Sequence, residues 1–323
     1  MSLPTPLEKT VRLGKELGID LYVKRDDVME LALGGNKVRK LEFILGDALS
    51  KGCDVLVTRG AFHSNHVRLT AAAARKAGLD VYLVLTPPGE PVFQGNVLLD
   101  RLFGAKILYA SSYDEADELM EKIAGELRSR GKKPYVIPGG GASPHGVLGY
   151  VTASLEIIQQ LHELGRKPDY IVHATGTGAT QAGLILGLKL LGLDDVEVIG
   201  ISVSRKASEV KERVSKLASE TAKLLKADIS VEPEDVTVFD DYVLGGYGVT
   251  PREIIKFIVT IARREGLLLD PVYTGKAMYG LVDLVEKGYI KKNSTVVFIH
   301  TGGTPILFQL SSVIEEYLRT ETS

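Results

Sequence analysis

Two patterns alternate along the chain. Short runs of β-branched and aliphatic residues are each followed by a longer stretch in which apolar residues recur every three or four positions. The short runs predict strands at 20–23, 54–58, 80–85, 105–109, 135–138, 170–173, 197–203, 268–271 and 295–300. The longer stretches predict helices at 37–51, 67–78, 114–130, 149–164, 181–191, 251–265 and 304–317. Strand and helix in turn imply parallel sheets with helices on both faces. The uninterrupted apolar strands VLV, VYLVL and VVFI suit sheets buried on both sides. The fold class expected is therefore α/β, in two domains that each hold a largely parallel sheet flanked by helices. Four strand–helix units between about 54 and 138 end at Gly139-Gly140-Gly141. They are expected to form a small domain, residues 49–144, inserted into a larger one made of residues 1–48 and 145–323. The acidic stretch 227–242 reads as an irregular surface excursion near a site.

Composition narrows the function classes. Hydrophobic residues are 45% and charged residues 25% of 323, ordinary for a globular protein. The 39 basic and 41 acidic residues leave a net charge of −2, so neither nucleic acid nor a membrane is expected as a partner. The opening MSLPTPLEK reads as neither a signal nor a transit peptide. With Cys53 as the single cysteine, no internal disulfide and no thiolate zinc site is expected, and the compartment expected is the cytosol. Cys53 itself reads as a small buried residue.

The 34 glycines cluster in a few loops at strand ends, and those loops carry the chemistry. In Gly34-Gly35-Asn36-Lys37-Val38-Arg39-Lys40, Asn36 reads as a helix cap that puts three cations in the first turn. The positive helix end disfavours cations there, so a lysine would have its ammonium form destabilised and its amine made reactive. A solvated basic face or a phosphate clamp is the plainer alternative. His63-Ser64-Asn65-His66 follows a strand and opens an alanine-rich helix. Ser64 and Asn65 are cap candidates that also suit an anion. A zinc site on His63 and His66 lacks a third ligand, so no metal is expected. Gly176-Thr177-Gly178-Ala179-Thr180-Gln181 is the best anion cradle, a strand-to-helix turn of small residues. It is not a Walker loop, and Gln181 breaks the dinucleotide spacing. Ser204-Arg205 at the end of the next strand keeps a ribose 2′-phosphate, hence NADP, open. Tyr247 in Gly245-Gly246-Tyr247-Gly248 and Tyr273 in Asp270-Pro271-Val272-Tyr273-Thr274-Gly275-Lys276 are candidates for facing a ligand or for packing. His145, His162 and His173 read as structural.

In their order, LYVKRDD, LALGGNKVRKLEF, FHSNHVR, GTGATQAG, GGYGVT, DPVYTGKAM and HTGGTP resemble the pyridoxal-phosphate family of 1-aminocyclopropane-1-carboxylate deaminases and D-cysteine desulfhydrases. The resemblance spans essentially the whole chain. It implies the tryptophan-synthase-β type of fold, with a small domain closing on a larger one, usually in a homodimer. It also implies pyridoxal 5′-phosphate as cofactor and a small amino acid as substrate. By the same resemblance Lys37 would form the Schiff base, and Asn65 would hydrogen-bond the cofactor's phenolic oxygen. Ser64 would contact the substrate carboxylate or assist proton transfer. Gly176, Thr177, Gly178, Ala179 and Thr180 would cradle the phosphate, and Tyr247 and Tyr273 would face the substrate. His63 departs from the glutamine often found before this Ser-Asn pair.

Thr274 falls where the ring-opening deaminases of the family carry a glutamate beside the pyridine nitrogen. A carboxylate there keeps that nitrogen protonated and the ring a strong electron sink, which a hydroxyl cannot do. A weaker sink suffices when the β-carbon carries a good leaving group. The expectation is a lyase that eliminates sulfide from D-cysteine, giving pyruvate and ammonia. The alternatives are a 1-aminocyclopropane-1-carboxylate deaminase giving 2-oxobutanoate and, from another class, an NADP-dependent oxidoreductase.

Overall fold

The computed structural model describes residues 3–87 and 93–321. Along the chain its elements are β1 (Leu7–Lys9), α1 (Leu13–Leu17), β2 (Asp20–Lys24), α2 (Lys37–Ser50), β3 (Val55–Ala61), α3 (Asn65–Lys76), β4 (Asp80–Thr86), α4 (Asn96–Leu102), β5 (Lys106–Tyr109), α5 (Tyr113–Ser129) and β6 (Pro134–Ile137). There follow α6 (Pro144–Glu163), β7 (Tyr170–Thr175), α7 (Ala179–Leu190), β8 (Glu197–Ser202), α8 (Ala207–Leu224), β9 (Thr237–Phe239), α9 (Arg252–Glu265), α10 (Thr274–Glu286), β10 (Thr295–Ile299), α11 (Thr304–Gln309) and α12 (Ser311–Glu321).

One sheet has the order β1-β2-β10-β7-β8-β9 and the other β5-β4-β3-β6. Every pairing is parallel except that of β1 on β2. The period-2 alternation of each strand feeds two cores, one on each face of its sheet. Val297 and Ile299 of β10 join Ile171 under α6, α7 and α8, whereas Val296 and Phe298 join Val172 under α1, α9 and α10. In the smaller sheet Leu56 packs with Val81, Leu83 and Leu85 on one face, and Val55 and Val57 pack with Val84 on the other.

The strand order locates a crevice. From β7 the chain moves outward to β8 and β9 and returns on the other side at β10, so connections diverge between β7 and β10. In the smaller sheet they diverge between β3, which leads to β4 and β5, and β6. Loops leaving the carboxyl ends of strands at such points line ligand crevices. Those loops are 176–178, 301–303 and 139–141, all glycine-rich, and 62–64, which is Phe-His-Ser.

Several expected elements differ. The segment 268–271 is not a strand. Its backbone is spent on a turn, since the Asp270 N–H donates to Thr274 Oγ1 and the Asp270 carbonyl accepts from the Gly275 N–H. The stretch 227–242 is less irregular than expected, because β9 within it closes the edge of the larger sheet. The helix expected at 304–317 is two, broken at Leu310. The helix expected at 149–164 begins at Pro144, where the Ser143 hydroxyl accepts from the Gly146 N–H. The pattern reading passes over α8, whose buried Val210, Val214, Ala218 and Ala222 recur every four residues. Cys53 is half-buried, and burial pushes its thiol pKa up.

Candidate active site

The segment before α2 is a strained turn. Ala32, Leu33, Gly34 and Gly35 all have positive φ, and a Cβ on Gly34 would lie 2.2 Å from the Asp27 carbonyl oxygen. Two non-glycine residues in that region mark a conformation imposed by the surroundings, a recurrent feature of functional sites. The turn is pinned by Gly35 N–H to Asp26 O (2.8 Å) and Asn36 N–H to Thr301 O (3.0 Å). Asn36 does not cap the helix with its side chain. Its Nδ2 instead donates to Thr180 Oγ1 at 3.0 Å, joining the start of α2 to the start of α7.

The three cations of the first turn then part. Arg39 turns away from the cavity. Its guanidinium donates to both oxygens of Asp26, both of Glu156 and the Thr5 hydroxyl at 2.8–2.9 Å. Lys37 and Lys40 point into the cavity, Lys40 fully buried. Neither has a carboxylate partner among the described residues. Burial pushes the Lys37 pKa down to about 8 and that of Lys40 well below its ordinary value, and the neighbouring ammonium lowers Lys40 further. The basic face is thus not solvated.

Ser64, Asn65 and His66 also line the cavity. Ser64 opens α3, its Oγ accepting a long bond from the Val67 N–H (3.4 Å). Asn65 Oδ1 accepts from Asn96 Nδ2 at 3.1 Å. The Thr58 hydroxyl donates its single hydrogen to the Ile137 carbonyl (2.8 Å), so in its 2.9 Å contact with His66 it accepts from Nε2–H. His66 Nδ1 is then an unprotonated acceptor, buried and without a partner. Burial and the nearby cations hold His66 neutral. Among the described residues no cluster of His, Cys, Asp and Glu could hold a metal.

The turn after β7 forms the third wall. Gly178 has φ +88°, and a Cβ there would meet Val214 Cγ2 at 3.0 Å. The N–H groups of Ala179, Thr180 and Gln181 in the first turn of α7 have no intrahelical acceptor, and they add to a positive helix end. Gly176, Thr177, Gly178 and Thr180 line the cavity, whereas Ala179 is buried behind it. Tyr247 and Tyr273 close the remaining side, edge to face at 5.9 Å and hydrogen-bonded through their hydroxyls. Burial pushes both phenol pKa values up, so both keep their protons. Thr274 is fully buried and does not line the cavity. Its hydroxyl donates to Asp270 Oδ1 (2.7 Å) and accepts from the Asp270 N–H (2.8 Å).

The cavity holds about 560 Å³ and brings together Lys37, Ser64, Asn65, the 176–180 turn, Tyr247 and Tyr273. Sequence reasoning missed Arg59, Tyr113 and Gly139-Gly140 as lining residues, and missed Lys276 behind it. Lys276 donates to the carbonyls of Val243 (2.6 Å) and Gly246 (3.1 Å) and so fixes the loop that carries Tyr247. The triple glycine at the end of β6 was the available signal for the 139–141 wall. His173 is fully buried and does not line the cavity, its Nδ1 lying against the Ala174 carbonyl at 2.8 Å.

The family model for pyridoxal-phosphate dependent enzymes matches residues 2–302. The chain belongs to the pyridoxal-phosphate dependent enzyme family. Among its relatives is a Pyrococcus abyssi protein named "Putative 1-aminocyclopropane-1-carboxylate deaminase", 47% identical over 97% of this chain and 93% of that protein. Another is a D-cysteine desulfhydrase of Yersinia enterocolitica, 45% identical over 94% and 92%. The crystal structure of an ACC deaminase homologue superposes with a TM-score of 0.90 at 44% identity, covering 98% of this chain and 94% of that one. Threonine deaminase isoform 2 of Solanum lycopersicum shares the fold, with a TM-score of 0.68 at 18% identity over 97% and 82%.

The residues of this member fit the cofactor of the family. Two cavity lysines without acid partners call for an anion, and the glycine turn with free helix amides suits a phosphate. Lys37 offers an amine, and Asn65 and His66 offer unsatisfied polar atoms. The nicotinamide alternative loses its footing. Arg205 is paired with Glu209, and Ser202 Oγ holds the Ser204-Arg205 backbone in a turn.

Proposed function

We propose that this family member eliminates the β-substituent of a small amino acid, with D-cysteine as substrate and pyruvate, sulfide and ammonia as products. The observation that carries the reading is the absence of a free carboxylate at the cavity. Among the described lining residues Glu209 is the one acid, and it is paired with Arg205 and Arg213. Position 274, a threonine, spends its hydroxyl on Asp270. When bound, pyridoxal phosphate supplies the electron sink for carbanion chemistry at the substrate α-carbon. With no acid to keep its ring nitrogen protonated, that sink suits a substrate whose thiolate departs readily.

The other roles fall to the chain. The amides of the 176–180 turn and Lys40 hold the phosphate, with Asn36 bracing Thr180. Asn65 donates to the phenolic oxygen. Lys37 would anchor the cofactor, and its amine, once displaced by the substrate amine, would take up the α-proton, its ammonium form being disfavoured by burial. Ser64 Oγ holds the substrate carboxylate. Tyr247 and Tyr273 keep their phenolic protons, one spent on the bond between the two hydroxyls and the other left to donate beside the leaving sulfur. Thr274 acts through Asp270 rather than by contact. The same reading takes residues 49–144 as a small unit closing over the cavity, and the active form as a cytoplasmic homodimer.

The likeness to the Yersinia desulfhydrase supports the D-substrate, while the name of the Pyrococcus relative favours ring opening of 1-aminocyclopropane-1-carboxylate to 2-oxobutanoate. The test offers D-cysteine, L-cysteine and 1-aminocyclopropane-1-carboxylate in parallel to the cofactor-loaded protein and identifies the keto acid formed. The expected result is pyruvate with equimolar sulfide from D-cysteine alone. 2-Oxobutanoate from the cyclopropane substrate without sulfide from either cysteine would overturn the proposal.

A further inference from the structure

Asn96, the first residue of α4, does not line the cavity, yet it sets how the cavity is lined. Its side chain is buried, and its amide is fixed at both ends. Nδ2 donates to the His63 carbonyl (3.2 Å) and to Asn65 Oδ1 (3.1 Å). Oδ1 accepts from Arg68 Nη1 at 3.3 Å. A guanidinium can only donate and a backbone carbonyl can only accept, so this amide cannot be turned over. The consequence passes to Asn65. With an N–H of Asn96 at its oxygen, Asn65 must keep Oδ1 toward Asn96 and present Nδ2, a donor, to the cavity. No described residue accepts from that Nδ2.

The anchor is itself held on two sides. Arg68 Nη2 donates to the Gly34 carbonyl (2.8 Å), in the strained turn that leads to Lys37. One buried guanidinium therefore braces both the Lys37 wall and the Asn65 wall. The start of α4 is docked on α11. A Cβ on Gly95 would meet Gln309 Cβ at 2.6 Å, and Gln94 Nε2 donates to the Gln309 carbonyl at 3.0 Å.

We propose that Asn96, oriented by Arg68, is a positioning residue that makes Asn65 a hydrogen-bond donor toward the phenolic oxygen of the bound cofactor. The proposal rests on the role proposed above for Asn65. A donor at that oxygen favours its deprotonated form. Loss of the anchor frees the Asn65 amide to offer either end, and reversal of the anchor turns its oxygen to the cavity.

The test uses the holoenzyme and three single variants, Asn65→Ala, Asn96→Ala and Asn96→Asp, with the double variant Asn65→Ala/Asn96→Ala. Two readouts are followed: the pH midpoint of the cofactor's visible absorption and the rate of cofactor loss on dilution. Asn96→Ala is expected to raise the midpoint and to speed cofactor loss about 3- to 10-fold, the share of one hydrogen bond. Asn96→Asp keeps the Arg68 contact, and so the fold, but its introduced carboxylate attracts the Asn65 Nδ2. It is expected to shift the midpoint further in the same direction. The double variant is expected to match Asn65→Ala, because Asn96 acts through Asn65. A wild-type midpoint in both Asn96 variants alongside a shifted Asn65→Ala overturns this inference and leaves the Asn65 role standing. Additive effects in the double variant also overturn it. A wild-type midpoint in Asn65→Ala overturns the role of Asn65 itself.

Discussion

Replacing Arg39 by methionine tests how α2, and with it Lys37, is held in place. Arg39 makes five hydrogen bonds to Asp26, Glu156 and Thr5 at 2.8–2.9 Å, and Asp26 is fully buried. At roughly 1.5–3 kcal/mol for each bond to a charged group, simple addition would give about 7–15 kcal/mol. That sum overstates the loss. Asp26 keeps donors from the Thr5 hydroxyl (2.9 Å) and the Tyr150 hydroxyl (2.5 Å), and Glu156 keeps Lys24 at 2.6 Å. What remains is a buried carboxylate stripped of its cation, a cost of about 3–5 kcal/mol. The assay is urea unfolding of the cofactor-free protein by circular dichroism, since the chain has no tryptophan to report. Lys167→Ala, which removes an exposed pair with Asp195, is the control and is expected to cost under about 1 kcal/mol. The pH dependence has a definite sign. Arg39 and Lys24 depress the Glu156 pKa from the ordinary 4.5 to about 2, so its share of stability is present above pH 4.5 and is lost as pH falls toward 2. Arg39→Met should flatten that acid slope. A loss below about 1 kcal/mol, or an unchanged slope, would refute the view that this network clamps α2.

Two further predictions concern the cavity walls. Gly178→Ala places a Cβ 3.0 Å from Val214 at φ +88°, and is expected to weaken cofactor retention at least about 10-fold, measured by fluorescence titration of the cofactor-free protein. Tyr247→Phe removes the hydroxyl bonded to Tyr273 with little loss of packing. It is expected to lower kcat about 100-fold with an unchanged melting temperature, and a kcat within about threefold of wild type would remove Tyr247 from the proposed chemistry.

How far the sequence reached depended on whether a signal was local. Strands such as VVFI and the glycine turns at their ends were legible because burial on both faces and tight strand-to-helix turns each leave a mark in a few consecutive residues. Helix α8 was passed over, because serine, lysine and glutamate dilute its four-residue repeat of Val210, Val214, Ala218 and Ala222. Asn36 shows the limit of local reasoning. An asparagine before a helix suggests a cap, whereas the fold uses it to reach Thr180, 144 residues away. Arg39 and Lys40 were indistinguishable in the sequence, since only the packing of α2 against α6 decides that one faces Asp26 and the other the cavity. The loss of the 268–271 strand has a similar cause. The Asp270 carboxylate gathers the N–H groups of Val272, Tyr273 and Thr274 and outcompetes sheet pairing.

Lys37 and Lys40 share one cavity and both have depressed pKa values, so which of them carries the cofactor decides the proposed chemistry. Lys37 is the more open of the two to the cavity, and Lys40 is fully enclosed. Borohydride reduction of the cofactor-loaded protein, followed by peptide mapping, reads the attachment directly. The expected result is a single modified residue, Lys37. Modification at Lys40, or at a lysine outside the cavity, would contradict the account.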